Sequence, residues 1–147
     1  MKTSILIAVF CLLAQFSLAQ SGRQIRLEDL GRIYYSEVKN LQSIKPCEET
    51  QGKALMYCVG DGSKISYLFT NFKLTSIIYF TAYPLKYKAE AEFERVINEQ
   101  SRKTGIQPSY SKGMAIFKWS NSNIILSFQV LEVGGTYYLA NYYTLVD

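Results

Sequence analysis

The chain contains no histidine. That absence excludes Ser-His-Asp and Cys-His catalysis, imidazole as a general base, and every zinc site with an imidazole ligand. Proline is scarce, with three residues, and none lies in a Pro-rich stretch, so no linker divides the chain. Charged residues make up only 19%, and no basic run occurs. Beyond Lys2, lysines and arginines are scattered from Arg23 to Lys118 among acidic residues. A nucleic-acid surface, which clusters its cations on one face, is therefore not expected. The sequence has no GxSxG, HExxH, Walker loop, dinucleotide fingerprint or CxxC, so the common nucleophilic, metal and cofactor motifs are missing.

Chemistry would then have to run on carboxylates, lysine, tyrosine or an atypical nucleophile. The acids available to a carboxylate-pair hydrolase are Glu48, Glu49, Asp61 and Glu132, mostly at loops or strand ends. Glu48-Glu49 beside Cys47 reads as a polar loop. Gly60-Asp61-Gly62 lacks the flanking ligands or lysine of a calcium or phosphate loop and reads as a turn. Glu90, Glu92 and Glu94 fall on an amphipathic helix and read as solvated charge. No enzyme, catalytic residue, metal site or cofactor is expected.

What the chain does have is apolar material: 48% hydrophobic residues, with Tyr 12 and Phe 8, in 147 residues. That composition builds one core and one domain. Met1-Lys2-Thr3 is a short positive start, Ile5 to Leu13 is apolar, and Ser17-Leu18-Ala19 places small residues where a signal peptidase reads. Residues 1–19 are thus expected to be a secretory signal peptide and residues 20–147 a single exported domain, periplasmic or secreted. The apolar run is shorter than a bilayer requires, so no membrane segment is expected once the signal is removed. Beyond the leader only Cys47 and Cys58 remain. Export and an even pair point to a disulfide between them, contributing about 3 kcal/mol.

Residues 26–41 carry Leu27, Leu30, Tyr34, Val38 and Leu41 at helical spacing, which predicts a first helix. Residues 53–59, 64–69 and 73–81 predict three strands, with turns at Gly60-Asp61-Gly62 and around Asn71-Phe72. Residues 86–104 predict the strongest helix, with Ala89, Phe93, Val96, Ile97 and Gln100 on one side, a Glu99–Lys103 pair, and Gly105 as its stop. Met114–Trp119, Asn123–Val133 and Thr136–Val146 predict three more strands, with a short extra one in the region 107–110.

The last three strands specify their own register. Looping at Gly134-Gly135 pairs Val133 with Thr136, Val130 with Leu139, Phe128 with Asn141 and Leu126 with Tyr143. Looping at Asn121-Ser122 pairs Trp119 with Ile124, Phe117 with Leu126 and Ala115 with Phe128. Both turns send the large apolar residues to one face, and a one-residue slip would scatter them. Asn141 is the misfit there and needs a hydrogen-bond partner if buried. The expected fold class is α+β: a two-layer sandwich in which two helices pack on one face of an antiparallel meander sheet, in the order α-β-β-β-α-β-β-β.

The opposite face then carries Ile116, Ile125, Leu131, Tyr138 and Tyr142, with little charge. Tyrosine gives contact area at low entropic cost and a polar tip. The expected function is a non-catalytic, exported binding protein whose tyrosine-rich sheet face contacts an extracytoplasmic protein or glycan. The alternatives are a carrier holding a small apolar ligand between sheet and helices, and a carboxylate-based hydrolase.

Phe69-Thr70-Asn71-Phe72-Lys73-Leu74, Ile77-Ile78, the Glu-rich helix ending at Gly105, Trp119, and Ile125 to Phe128 follow a recurring plan. Over residues 54–146 the chain resembles small exported bacterial proteins of uncharacterised families. Some of those have folds similar to β-lactamase-inhibitor-like and outer-membrane-assembly lipoprotein domains. Leu18-Ala19-Gln20 is also similar to their leaders, whereas Phe10 before Cys11 departs from the lipoprotein members. The resemblance implies fold class and export, and carries over no functional residue.

Overall fold

A computed structural model of the chain describes residues 24–42 and 44–146. The expected leader, residues 1–19, lies outside them. The helix expected over 26–41 forms as two pieces. Leu27–Asp29 is a single 3-10 turn, and α1 spans Tyr35–Leu41. The break begins at Gly31, whose φ of +73° favours glycine, and a Cβ there would approach Leu145 Cδ2 to 2.8 Å. Between the pieces the backbone pairs with a strand. Gly31 N–H donates to the Leu74 carbonyl (2.7 Å), Leu74 N–H to Ile33 (2.9 Å) and Tyr35 N–H to Phe72 (2.8 Å). Tyr34, expected on the buried stripe, is therefore 46% exposed, while Ile25, Leu30, Ile33 and Val38 are buried.

Eight strands form one antiparallel sheet: β1 (Glu48–Thr50), β2 (Ala54–Cys58), β3 (Lys64–Thr70), β4 (Lys73–Tyr83), β5 (Ser109–Ser111), β6 (Met114–Phe117), β7 (Ile124–Val133) and β8 (Thr136–Leu145). Their order is β1-β2-β3-β4-β8-β7-β6-β5. This corrects the expected two-layer sandwich built on a meander in the order α-β-β-β-α-β-β-β. The sheet is single and open, and its fifth neighbour is the last strand. The helix α2 (Lys86–Thr104) carries the chain from β4 to the far edge. The second meander then runs back until β8 closes on β4 over eight paired positions, from Ser76 with Thr144 to Tyr83 with Tyr137. β1 and the edge strand β5 are three-residue, fully exposed polar strands. β5 realises the short extra strand expected near 107–110, and β1 falls where a loop was expected. Short edge strands leave little template for unwanted pairing.

The topology contains a repeat that the residues do not display. A helical segment followed by four antiparallel strands occurs twice, and the two units meet through their last strands. Their final hairpins use the same turn geometry. Asn71 and Phe72 have φ of 50° and 64°, and Gly134 and Gly135 have 59° and 80°. Two left-handed central residues make the turn whose twist matches paired strands. Glycine meets that demand in one unit, and an asparagine with a bulky phenylalanine meets it in the other, which hides the repeat.

The registers expected for the last three strands form, apart from Trp119 with Ile124, because β6 ends at Phe117. Two rows of core side chains cross six strands. One runs Leu55, Tyr67, Ile77, Tyr143, Leu126, Phe117, and the other Tyr57, Ile65, Tyr79, Asn141, Phe128, Ala115. All are buried, and all but Asn141 belong to one cluster with Val38 of α1 and Val96 and Ile97 of α2. Each large side chain so placed contributes about 1.5–3 kcal/mol. Asn141, the misfit on that face, is buried, and the partner that burial calls for is not met at its Oδ1, which accepts no hydrogen bond from the described residues. α2 ends at Gly105 in the left-handed conformation, with Arg102 and Lys103 complementing the dipole of its last turn.

Cys47 and Cys58 form a disulfide with Cα atoms 5.9 Å apart, and Cys47 N–H donates to Met56 O at 2.8 Å. The bond fastens the edge hairpin β1–β2. Replacing both cysteines by serine is expected to lower unfolding stability by about 3 kcal/mol in a urea titration. An unchanged midpoint would show that the hairpin is held without it.

Candidate functional site

Alternate residues of the same strands point to the second face. One row crosses it as Ser66, Ile78, Tyr142, Ser127 and Ile116. Neighbouring rows carry Lys64, Phe80, Ala140 and Gln129, then Ala82, Tyr138 and Leu131. The five residues singled out in the sequence, Ile116, Ile125, Leu131, Tyr138 and Tyr142, all lie here and are half-buried. Leu131 sits directly opposite Tyr138. Tyr142 faces Ser127, and Ile116 lies on the far side of Ser127. Ile125 faces Thr144.

The β4–β8 junction adds residues that the sequence reading did not bring to this face. Ile78 lies opposite Tyr142, and Phe80 opposite Ala140. The Phe80 ring meets Tyr138 edge-on, with centroids 6.2 Å apart. Ala140 is fully buried, and Ser66, Ile78 and Ser127 are buried too. Ile78 and Ala140 stand outside the core cluster that holds the helix residues. The signal for them is Ile77-Ile78-Tyr79-Phe80, an apolar run without alternation. Such a run marks an interior strand that buries side chains on both faces.

Charge is sparse on this face. Lys64 Nζ lies 6.0 Å from the Tyr138 ring centroid and 3.8 Å from a Glu48 carboxylate oxygen. Burial pushes the Tyr142 phenol above its ordinary range. The core face is drier. Burial, assisted by the Glu49 carboxylate and Tyr35, raises Tyr57 to about 12, and burial raises Tyr143 to about 12. It pushes Tyr67 and Tyr79 up further.

Three of the four carboxylates weighed for hydrolysis have separate local partners. Glu48 meets Lys64 on the second face. Glu49 points the other way, accepting from the Tyr35 hydroxyl and from Lys39 Nζ (2.7 Å). Those two hydrogen bonds hold its carboxyl below the usual range, Lys39 contributing most. Asp61 Oδ1 accepts from Ser63 N–H at 3.0 Å, and Glu132 lies exposed opposite Tyr137. On α2, Glu90 pairs with Lys86 at 3.5 Å and Glu92 with Arg95 at 2.6 Å. Among the described residues no group of three or more Cys, Asp or Glu is placed to hold a metal ion. Comparison with protein-family models, curated proteins and solved structures finds no match.

The tyrosine burial sets an alkaline limit. A phenol held neutral in the fold favours folding below its unfolded pKa of about 10, and that contribution is lost as pH rises through the folded value. Stability is expected to fall between pH 10 and about 12, the value for Tyr57 and Tyr143. Tyrosinate absorbance of the folded chain should lag that of the denatured chain across this window. Coincident titration curves would contradict the burial of these rings.

Proposed function

We propose that the chain is a non-catalytic binding protein acting outside the cytoplasm. In this reading the second face of the sheet docks a protein with an apolar centre and an acidic margin. The observation that carries it is the continuity of the face across the β4–β8 junction, joining Ile78 and Phe80 to Tyr138, Tyr142, Ile116 and Leu131. Six strands at about 4.8 Å spacing and four side-chain rows span roughly 500 Å² in plan. With side-chain relief added, this is the order of the area each partner buries in a specific interface. Aromatic residues with aliphatic neighbours and few charges are the composition of such interface centres. A glycan fits the centre less well, because Ser66 and Ser127 are buried and Gln129 with the Tyr138 and Tyr142 hydroxyls are the few hydrogen-bonding groups left there. The margin favours acids on the partner. Lys64 is the only strand cation in the central rows, and Lys53 and Lys73 at one corner make no ion pair among the described residues.

Export is supported by the Cys47–Cys58 disulfide, since such bonds persist in oxidising compartments, and by the leader-like residues 1–19. No described helix is long and apolar enough to cross a membrane.

A photo-reactive phenylalanine analogue at Tyr138, compared with one at Lys88 on α2, tests the proposal in the envelope or medium of the source. A heterologous protein adduct from position 138 alone is expected. Tyr138→Ala with Tyr142→Ala should then weaken binding of that protein by about 2 kcal/mol or more. Adducts from position 88 alone, adducts only to a second copy of the chain, or affinity unchanged by the double substitution would refute it.

A further inference from the structure

At one corner of the second face the sheet is interrupted. The β3–β4 register shifts between Leu68 and Phe69, leaving Thr75 as an extra residue. Bulges of this kind re-aim side chains and recur beside functional sites. Past it, the start of β4 is paired to Tyr34 by an isolated bridge, whereas Ser76 still pairs with Thr144 of β8. The handover from β8 to Tyr34 opens a groove of about 920 Å³. Its extension of about 380 Å³ runs past Lys53 to Phe72.

We infer that this groove binds an acidic saccharide. Lys53 and Lys73 line it, and no described carboxylate does. Lys73 Nζ is held 5.6 Å from the centroid of the Tyr34 ring, so an aromatic face positions this ammonium and its charge is left for a ligand. The remaining polar lining is mostly hydroxyl, from Thr50, Thr70, Thr75, Ser76 and Thr144, together with the Asn71 and Gln51 amides. The hydroxyls contact one another only loosely. Thr70 and Thr75 hydroxyls lie 3.4 Å apart, Thr75 reaches Leu68 O at 3.3 Å, and Ser76 reaches Thr144 at 3.2 Å. Such distances are at the long end for hydroxyl hydrogen bonds and can be exchanged for bonds to a ligand. Hydroxyls both donate and accept, which matches a ligand rich in alcohol groups.

An acidic peptide would be held through its backbone at a free strand edge, and here β4 is already paired on both sides. At the lip, Phe72 is 60% exposed and left-handed (φ 64°), an uncommon conformation for a bulky residue that often marks functional positions. Its ring lies against Gly52, where a Cβ would come within 2.4 Å of it. It offers a flat apolar surface to the carbon face of a sugar ring.

Calorimetric titration of the disulfide-intact protein with an oligogalacturonate, a heparin-derived hexasaccharide, neutral cellohexaose and hexaglutamate tests this site. At least one acidic saccharide is expected to bind in preference to cellohexaose and hexaglutamate, and which one binds separates a carboxylate from a sulfate ester. Lys53→Gln with Lys73→Gln, and separately Phe72→Gly, should weaken that binding at least about tenfold. Lys86→Gln with Lys88→Gln on α2 should change it by less than about twofold. Glycine tolerates the turn conformation at position 72, and the melting temperature of each variant reports its folding independently. Equal binding of hexaglutamate, equal loss in the α2 variant, or no binding of either acidic saccharide at millimolar concentration would overturn the site.

Discussion

The pairing of β4 with β8 is the contact on which the molecule depends. Without it there are two four-stranded units, each with an unpaired long strand at its edge. With it, eight residue pairs join those edges, and only the three-residue strands β1 and β5 remain at the margins. Long apolar edges invite association with other chains, and short polar ones do not. The junction also sets both faces at once. It places Ile77 against Tyr143 and Tyr79 against Asn141 in the core, and Ile78 against Tyr142 and Phe80 against Ala140 on the other side. The core and the proposed docking face are therefore products of one register. A one-residue slip would exchange them.

Much of the local structure was legible because it is encoded locally. Gly134-Gly135 and the alternation on either side specify the β7–β8 register in a few residues. The stripe Ala89, Val96, Ile97 and Gln100 with Gly105 marks α2, and two cysteines beyond the expected leader leave one pairing. Each of these signals lies within a short window, where turn chemistry and side-chain period act together.

The parts that escaped are those decided at long range. Nothing near β4 or β8 states that residues about sixty apart should pair. The meander order was the wrong inference because α2 takes the chain across the sheet before the second unit begins. β1 and β5 are too short and polar to show a period. Helical spacing overstates the length of the first helix, because Leu27, Leu30 and Tyr34 keep it through a segment whose backbone instead pairs with β4. Only Gly31 betrays the break. The candidate site was legible by half. Parity found Ile116, Ile125, Leu131, Tyr138 and Tyr142, whereas Ile78, Phe80 and the Lys53–Lys73 corner needed the β4–β8 neighbourhood to be known.

Both functional proposals draw on that same neighbourhood, the docking face through its continuity and the groove through the point where β8 leaves β4. The most direct test is a map of cross-strand nuclear Overhauser contacts in the isotopically labelled protein. Backbone contacts linking Ile77 with Tyr143, Tyr79 with Asn141 and Thr81 with Leu139 are the expected result. Their absence, with the outer amides of Lys73–Tyr83 exchanging as an unpaired edge, would contradict the single sheet and everything placed on it.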